Sequence, residues 1–559
     1  WLPSYRRAGL RGDAIAALSV WALLIPQALA YTSIAGVPVE YGLYTAFVAL
    51  IAYAIFGTSR HLVQGPSAAV CAVSAAAITP IIGAAALGGS EAVSVTAALA
   101  LVTGVVYLVL GLLRMGWVST FLSKAVMAGF VLGFSIGIII DQSDALLGVE
   151  VEDGSYMEKL WWTIQAIPDT NLTTLAVGAG SLAVLLVMRR FLPRWPRMLI
   201  VVALAIVASS ALDLASHDVS VVGEVPTGLP SVAVPDVVWS DMGALVAGAL
   251  SIVFVGYSES LASARAMARK HNYEIDTDQE LIAQGSAVGA AAFVGGFATD
   301  GSLSKTSVAD AAGQKTQMAS LINAGLVLLT MLLLASLFKT LPDATLGAVV
   351  VDAMLGLLTL VDLRRYYSVN RTDWYFFMGA GLGILFFGIT QGILIGVVLS
   401  LLLLIARASR TSIRQLNREP GTDLYLDASR HEGLEPFPSL VVARVDGPLF
   451  FADADRFRTR VREIVGDASP AAVVVDAEAI HLTDTDGADI LTQVAEELRA
   501  RGTSLLLAGV HPPVLALWRR AGVVDAIGEA SIFPRVQDAV RAAGGGPPSG
   551  DGVPLIAGV

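Results

Sequence analysis

Two short stretches put glycine, hydroxyl and charge where the surrounding chain is apolar. GGFATDGSLSKTSV, residues 295–308, carries Asp300, Gly301, Ser302, Leu303, Ser304 and Lys305; QGPSAAVCAVSAAAI, residues 64–78, opens on Gly65, Pro66, Ser67 and Ala68. Glycine interrupts a helix, proline is tolerated in a first helical turn, and serine is a favoured N-cap. Both stretches therefore predict a helix that starts inside an apolar run. A helix N-terminus offers free N–H groups and about half a positive charge, which suits an anion. Two such starts facing one another would hold a small anion with little help from full charges. Ordinary Gly/Ser packing between helices is the plainer use of the same residues.

Lys305 adds a full charge. A lysine in the middle of a bilayer costs about 2.5–3.5 kcal/mol, so it normally faces a cavity or a partner. One turn into the second broken helix it would strengthen an anion site; snorkelling to the surface or a structural ion pair are the alternatives. Glu259, in SIVFVGYSESLASARA, is the expected partner, and would otherwise carry a proton during transport or be solvated near the segment end. With Asp300 beside the break, two acids near unwound carbonyls could also hold Na⁺. Coupling by H⁺ or Na⁺ is thus assigned to Glu259 and Asp300, with no other cofactor. In WALLIPQALAY, Gln27 and Tyr31 are four apart and share a helical face, where they would orient an oxyanion or, with Pro26, simply make a kink and an interhelical hydrogen bond.

The elements that must position these residues are legible as hydropathy. The 559-residue chain is 55% hydrophobic and 15% charged, with a mean hydropathy of +0.69. A soluble domain is about 25% charged. Apolar segments follow one another through roughly the first 410 residues, many near the ~20 residues that cross a hydrocarbon core. About 14 spans are expected, near residues 14–35, 41–57, 66–83, 91–113, 122–141, 171–188, 197–215, 242–263, 279–295, 302–312, 317–338, 344–360, 372–388 and 390–406. This is the pattern of a polytopic α-helical membrane protein. The first residue is Trp1, so the native N-terminus is expected upstream, and the first apolar run reads as a span rather than a signal peptide. One cysteine, Cys71, rules out an intrachain disulfide.

Loop charge sets the orientation. Arg6, Arg7, Arg11, Arg60, Arg114 and Lys124 fall on one side, followed by clusters at 189–197 and 265–270, by Lys315, and by a cluster at 364–371, whereas Lys159 and Lys339 stand on the other. The positive-inside rule then places both termini in the cytoplasm. About seven spans per half is an odd number, so two related halves would insert with opposite orientation, the inverted-repeat logic of secondary transporters.

Beyond Ala406, ARASRTSIRQLNREPGTD is polar and cationic and reads as a linker. Strand and helix signals then alternate: LVVARVDGPLFF, AAVVVDAEAI and TSLLLAGV against ADRFRTRVREIV, GADILTQVAEELRARG and PPVLALWRRAGV. That alternation predicts a sheet with packed helices. The domains are read as 1–409 transmembrane, 410–436 linker and start of the α/β domain, 437–544 the α/β domain, and 545–559 a flexible tail.

The run LLIPQALAYTSIAGVPVEYGLYTAFVALIAYAIFGTSRHLVQGPSAAV resembles the signature region of the sulfate-permease (SulP) family, solute carrier family 26. GGFATDGSLSKTSVADAAGQKTQ resembles that family's second broken helix, and the region after residue 420 its cytoplasmic STAS domain. The resemblance implies a seven-plus-seven inverted repeat with uracil-permease-like core and gate domains, an anion site between the third and tenth helices, and a homodimer moving like an elevator. It carries the substrate role to Gln27, Tyr31, Ser67, Ala68 and the Gly301–Lys305 stretch. Many members have arginine where Lys305 stands, so the planar two-pronged contact is replaced by a point charge; Asp300 stands where threonine or serine is more usual. Glu259 matches an acid of coupled members. DTDG at 484–487 resembles the loop that carries a phosphorylated residue in bacterial anti-sigma-antagonist relatives, with Thr485 in that place; helix capping is the simpler reading.

No Walker A sequence, nucleophile elbow or metal-spaced His/Cys cluster appears, which argues against an enzyme and against ATP-driven transport. The expected function is secondary uptake of a small anion across the plasma membrane: sulfate first, bicarbonate or a C4-dicarboxylate behind it. The partners are the anion, the bilayer and a second copy, with no nucleic acid. An uncoupled anion channel or exchanger and a membrane-anchored signalling module are the competing readings.

Overall fold

The computed structural model describes residues 5, 9–83, 86–117, 124–151, 154–193, 195–358, 360–389, 391–392, 395–396, 398–399, 401–402, 412–422, 424–466 and 469–544. The chain divides into two compact units, residues 1–401 and 402–559.

In the first unit the expected apolar segments form helices, beginning with α1 Leu10–Ala35, α2 Glu40–Phe56, α3 Ala68–Ile82, α4 Ser90–Leu112 and α5 Lys124–Asp141. A five-residue turn, α6 Ser143–Leu147, precedes α7 Tyr156–Ala166, α8 Leu172–Phe191 and α9 Arg197–Leu212. The second half brings α10 Met242–His271, α11 Thr277–Ala292, α12 Leu303–Ala311, α13 Met318–Leu329, α14 Asp343–Leu357, α15 Leu360–Val369 and α16 Arg371–Phe387. Six of the described helical stretches are long and apolar enough to cross a membrane, and α2, α3 and α9 are shorter apolar helices. The span expected at 390–406 falls largely outside the described residues, as do Arg6, Arg7 and the tail 545–559.

Hydropathy missed α7, which is amphipathic and begins at a capping box between Ser155 and Glu158. Its Lys159 is buried, with Nζ 2.8 Å from Asp141 and 3.0 Å from Asp144. The span expected at 317–338 is present as Met318–Thr340, with its helix changing pitch through a π turn at Thr330–Leu334 and a 3₁₀ turn at Ala335–Thr340.

Glycines set the closest helix contacts. A Cβ at Gly129 of α5 would stand 2.0 Å from the Phe377 carbonyl oxygen of α16, and one at Gly104 of α4 would stand 2.9 Å from Gly289 of α11. Only hydrogen fits at those crossings, the small-residue packing of helices in lipid.

The two helix breaks meet. Gln64–Gly65 (β1) and Asp300–Gly301 (β2) pair antiparallel, Gln64 opposite Gly301 and Gly65 opposite Asp300. Ser302 N donates to the Val63 oxygen at 3.2 Å, and Val63 N to the Thr306 hydroxyl at 3.0 Å. Gln64 Nε2 reaches Gln284 Oε1 at 2.8 Å and Thr299 Oγ1 at 2.9 Å. Buried backbone that has left a helix must find partners elsewhere, and the breaks supply them to each other.

The second unit is a six-stranded sheet in the order β4-β3-β5-β6-β7-β8. β3 (Ser412–Arg418) pairs antiparallel with β4 (Tyr425–Asp427) and β5 (Leu440–Asp446), while β5, β6 (Ala472–Asp476), β7 (Ser504–Ala508) and β8 (Ile532–Phe533) run parallel. Helices Ala454–Val465, Thr485–Ala500 and Pro512–Arg520 connect them. β3 lies where the sequence was read as linker: just Ile413 and Leu416 of the strand are buried, three apart among polar residues, so the alternation of a half-buried strand is missing.

Candidate anion site

Both breaks lead directly into a helix start. At α3, Ser67 is the N-cap and its hydroxyl accepts from Val70 N at 3.4 Å. At α12, Ser302 is the N-cap but its side chain caps no N–H; its hydroxyl lies 2.9 Å from that of Ser304. The first-turn donors of α12 thus have no side-chain acceptor of their own.

A cavity of about 200 Å³ opens at these starts. Gln27 and Tyr31 of α1 line it with Ser67 and Ala68 of α3, Glu259 of α10, and Ser302, Ser304 and Lys305 of α12. Gln27, Tyr31, Ser67 and Ser302 are buried residues, as is Lys305 at 1% exposure. The pairing of Gln27 with Tyr31 on one face of α1 puts an amide and a phenol on the same wall.

Three of the expected residues sit differently. Gly301 donates its N–H to the Ser260 hydroxyl at 2.7 Å. The Leu303 side chain is 48% exposed, turned away from the buried cavity wall. Asp300 lies behind the wall, fully buried, with neither carboxylate oxygen receiving a hydrogen bond.

Lys305 is not ion-paired to Glu259. Its ammonium donates to the Pro66 carbonyl oxygen across the two breaks, and among the described residues no carboxylate oxygen lies within 4.0 Å of it. The reason is local: a carbonyl just before a helix N-cap has no intrahelical donor, and the lysine one turn into the opposing helix is within reach. The cation stays in the site without being neutralised by an acid.

Sequence reasoning passed over the opposite wall. Arg197 opens α9 and Asp352 lies in α14, and both line the same cavity. Arg197 Nε and Nη2 each lie 3.0 Å from Asp352 Oδ2, and Arg189 Nη1 is 3.8 Å from Oδ1. Asp352 is fully buried, and its Oδ1 accepts no hydrogen bond. The signal was present: an acid inside VVVDAML is an ionisable residue in an apolar segment, which marks a functional position.

Two other buried acids of the helical unit are held by hydrogen bonds. Glu280 accepts from the Tyr53 hydroxyl, Thr58 N, the Thr58 hydroxyl and Ser59 N at 2.5–3.0 Å. Asp13 accepts from Lys315 N, Thr316 N and the Thr316 hydroxyl at 2.7–3.0 Å.

In the sheet domain, Asp484 caps the helix Thr485–Ala500, its Oδ1 accepting from Gly487 N at 2.8 Å and its Oδ2 from Phe451 N at 3.0 Å. Thr485 is exposed in the first turn.

The sulfate permease family model matches residues 10–380, and the STAS domain model residues 425–539. The chain belongs to the sulfate permease family. A "probable sulfate transporter" of Mycobacterium tuberculosis (strain CDC 1551 / Oshkosh) is 34% identical over 542 residues, covering 96% of each chain. Human sulfate anion transporter 1 is 32% identical over 631 residues, covering 97% of this chain and 90% of its own. The solved structure of murine solute carrier 26 family member A9, an anion transporter in the inward-facing state, aligns with a TM-score of 0.92 at 25% identity, over 97% of this chain and 93% of that one. The transmembrane domain of a cyanobacterial bicarbonate transporter shares the fold, with a TM-score of 0.61 at 21% identity over 71% of this chain and 98% of its own. Sulfate permeases are multi-pass membrane transporters of anions, and this chain has their helical transport unit followed by a STAS domain. The cavity between the two broken helices is the feature of that unit whose chemistry suits an anion.

Proposed function

We propose that this chain is a secondary active importer of a small oxyanion, sulfate first, driven by H⁺ and working as an elevator. The observation that carries the reading is the buried cavity where two helix starts meet Lys305. Helix N-termini and a desolvated cation attract negative charge without a fixed counter-acid. Relatives named as sulfate transporters support sulfate. The antiparallel pairing of the two breaks supports two halves of opposite orientation, seven spans each. Glu259 faces the cavity while Asp300 lies buried without donors, so a proton shared in that region would travel with the anion; Na⁺ is the alternative coupling ion. The basic loops support cytoplasmic termini in the plasma membrane, with two copies as the working unit. Thr485, exposed at a helix start, is the proposed phosphoacceptor of the STAS domain.

One observation favours a second substrate. Asp352 lines the cavity, and its Oδ1, with Arg189 Nη1 3.8 Å away, accepts no hydrogen bond. Bicarbonate carries a hydroxyl that can donate to it, whereas sulfate at neutral pH has no proton to offer. Uptake of labelled sulfate and of labelled bicarbonate into proteoliposomes, with an inward H⁺ gradient, an inward Na⁺ gradient or neither, tests both. Sulfate accumulation that needs the H⁺ gradient is the expected result. Uptake of neither anion under any gradient would overturn the proposal.

A further inference from the structure

Away from the anion cavity, three side chains of metal-ligand type converge: His61, His271 and Asp310, whose candidate ligand atoms all lie within 4.8 Å of one another. They come from the segment between α2 and β1, the last residue of α10 and the last turn of α12. No motif search finds them, because the fold rather than the spacing brings them together. We propose that His61, His271 and Asp310 bind one divalent transition-metal ion of the zinc class.

The surroundings are arranged for ligation. His61 is a buried residue, and its Nδ1 lies 3.3 Å from the Tyr273 hydroxyl, which in turn is 3.0 Å from the Ser59 hydroxyl. That outer pair fixes the ring and leaves Nε2 for a metal, the arrangement in which a second shell orients a ligating histidine. Asp310 divides its oxygens: Oδ2 pairs with Lys270 Nζ at 2.5 Å, and Oδ1 lies 2.6 Å from His271 Nε2. Two imidazole nitrogens and one carboxylate oxygen suit zinc and its first-row neighbours, whereas Mg²⁺ and Ca²⁺ prefer all-oxygen sets.

Loading requires one rearrangement. The His61 and His271 rings stack, with centroids 4.2 Å apart and planes 11° from parallel. A metal lies in the plane of each ring it binds, so one ring must leave the stack. His271 is the one free to turn, its side chain being 29% exposed. The 2.6 Å separation between His271 and Asp310 then opens as both turn toward an ion about 2.0–2.2 Å from each ligand. Lys270 opposes a dication and lowers the affinity without occupying a ligand position. The bound ion would tie the segment leading into the first helix break to the end of the second broken helix. Both are already joined by the Val63–Thr306 hydrogen bond, so the metal stabilises an existing arrangement.

The test uses full-length, tag-free protein, stripped with chelator and held in nanodiscs. Calorimetric titration with ZnCl₂ should give one ion per chain, with a raised melting temperature. His271→Ala should weaken binding at least tenfold and abolish the Zn²⁺-dependent thermal shift. Should His271→Ala fail to fold, Co²⁺ added to the wild-type protein decides. An intense visible spectrum of a low-coordinate N/O site, displaced by Zn²⁺, supports the proposal, and the pale spectrum of the aqua ion overturns it. Absence of saturable Zn²⁺ binding, equal affinity in His271→Ala, or equally tight binding of Mg²⁺ would also overturn it.

Discussion

Lys305 of the second broken helix donates to the carbonyl oxygen of Pro66 at the start of the first. A carbonyl holds the ammonium in place but leaves its charge uncancelled. On the proposed function, an entering anion would meet this ammonium together with the uncapped first turn of α12. A carboxylate within ion-pairing distance would have neutralised the ammonium and weakened the pull on an anion that the proposed function requires.

Glu259 borders the cavity without being ion-paired to that lysine. Glu259→Gln keeps the size and removes the titratable group. Accumulation of labelled sulfate against its gradient in proteoliposomes should fall at least tenfold, while exchange of internal for external sulfate persists. Unaltered accumulation would remove Glu259 from coupling.

Much of this arrangement was legible in the sequence. The Gly/Pro/Ser punctuation at 65–67 and 301–304 located both helix starts, since a glycine followed by a capping serine within an apolar run suits a helix beginning there. The pairing of the breaks was not legible, because Gln64 and Gly301 meet through a two-residue ladder with no local pattern. Nor was the partner of Lys305, a backbone carbonyl that every residue carries. Asp352 and Arg197 were visible as types, but their meeting depends on how α9 packs against α14. In the STAS domain the buried run of β6 was plain, whereas β3 was hidden by its polar composition.

Arg197 neutralises a fully buried carboxylate. Arg197→Ala leaves Asp352 with Arg189 at 3.8 Å as its remaining cation. Breaking a buried pair from one side costs about 3–5 kcal/mol, less where a second cation remains. Thermal unfolding in nanodiscs should show a lowered melting temperature, and Arg197→Ala with Asp352→Asn should recover most of the loss. If the double variant were no more stable than the single one, the pair would not be the cause.

Asp476 ends β6 in the STAS domain, and burial raises its carboxyl pKa above the ordinary value. The folded state then binds this proton more tightly than the unfolded one. Its contribution to stability is present at low pH and is lost as pH rises through the window between the ordinary and the raised value. Asp476→Asn should stabilise the domain at neutral pH and flatten that part of the pH profile. Arg444 keeps Asp446 at 2.9 Å, and the Asn carbonyl can still accept from Glu478 N. Chemical denaturation of the full chain, followed by Trp518 fluorescence between pH 4 and pH 8 as roughly the range in which a raised carboxyl titrates, measures it. A destabilised variant at neutral pH would contradict the sign.

Equilibrium binding of sulfate to Lys305 variants in nanodiscs bears most directly on the anion site. Lys305→Ala should weaken calorimetric sulfate affinity by at least a hundredfold with the melting temperature of the free protein little changed, and Lys305→Arg should retain affinity within about tenfold, since the charge is kept and the geometry altered. Sulfate affinity unchanged in Lys305→Ala would contradict the account.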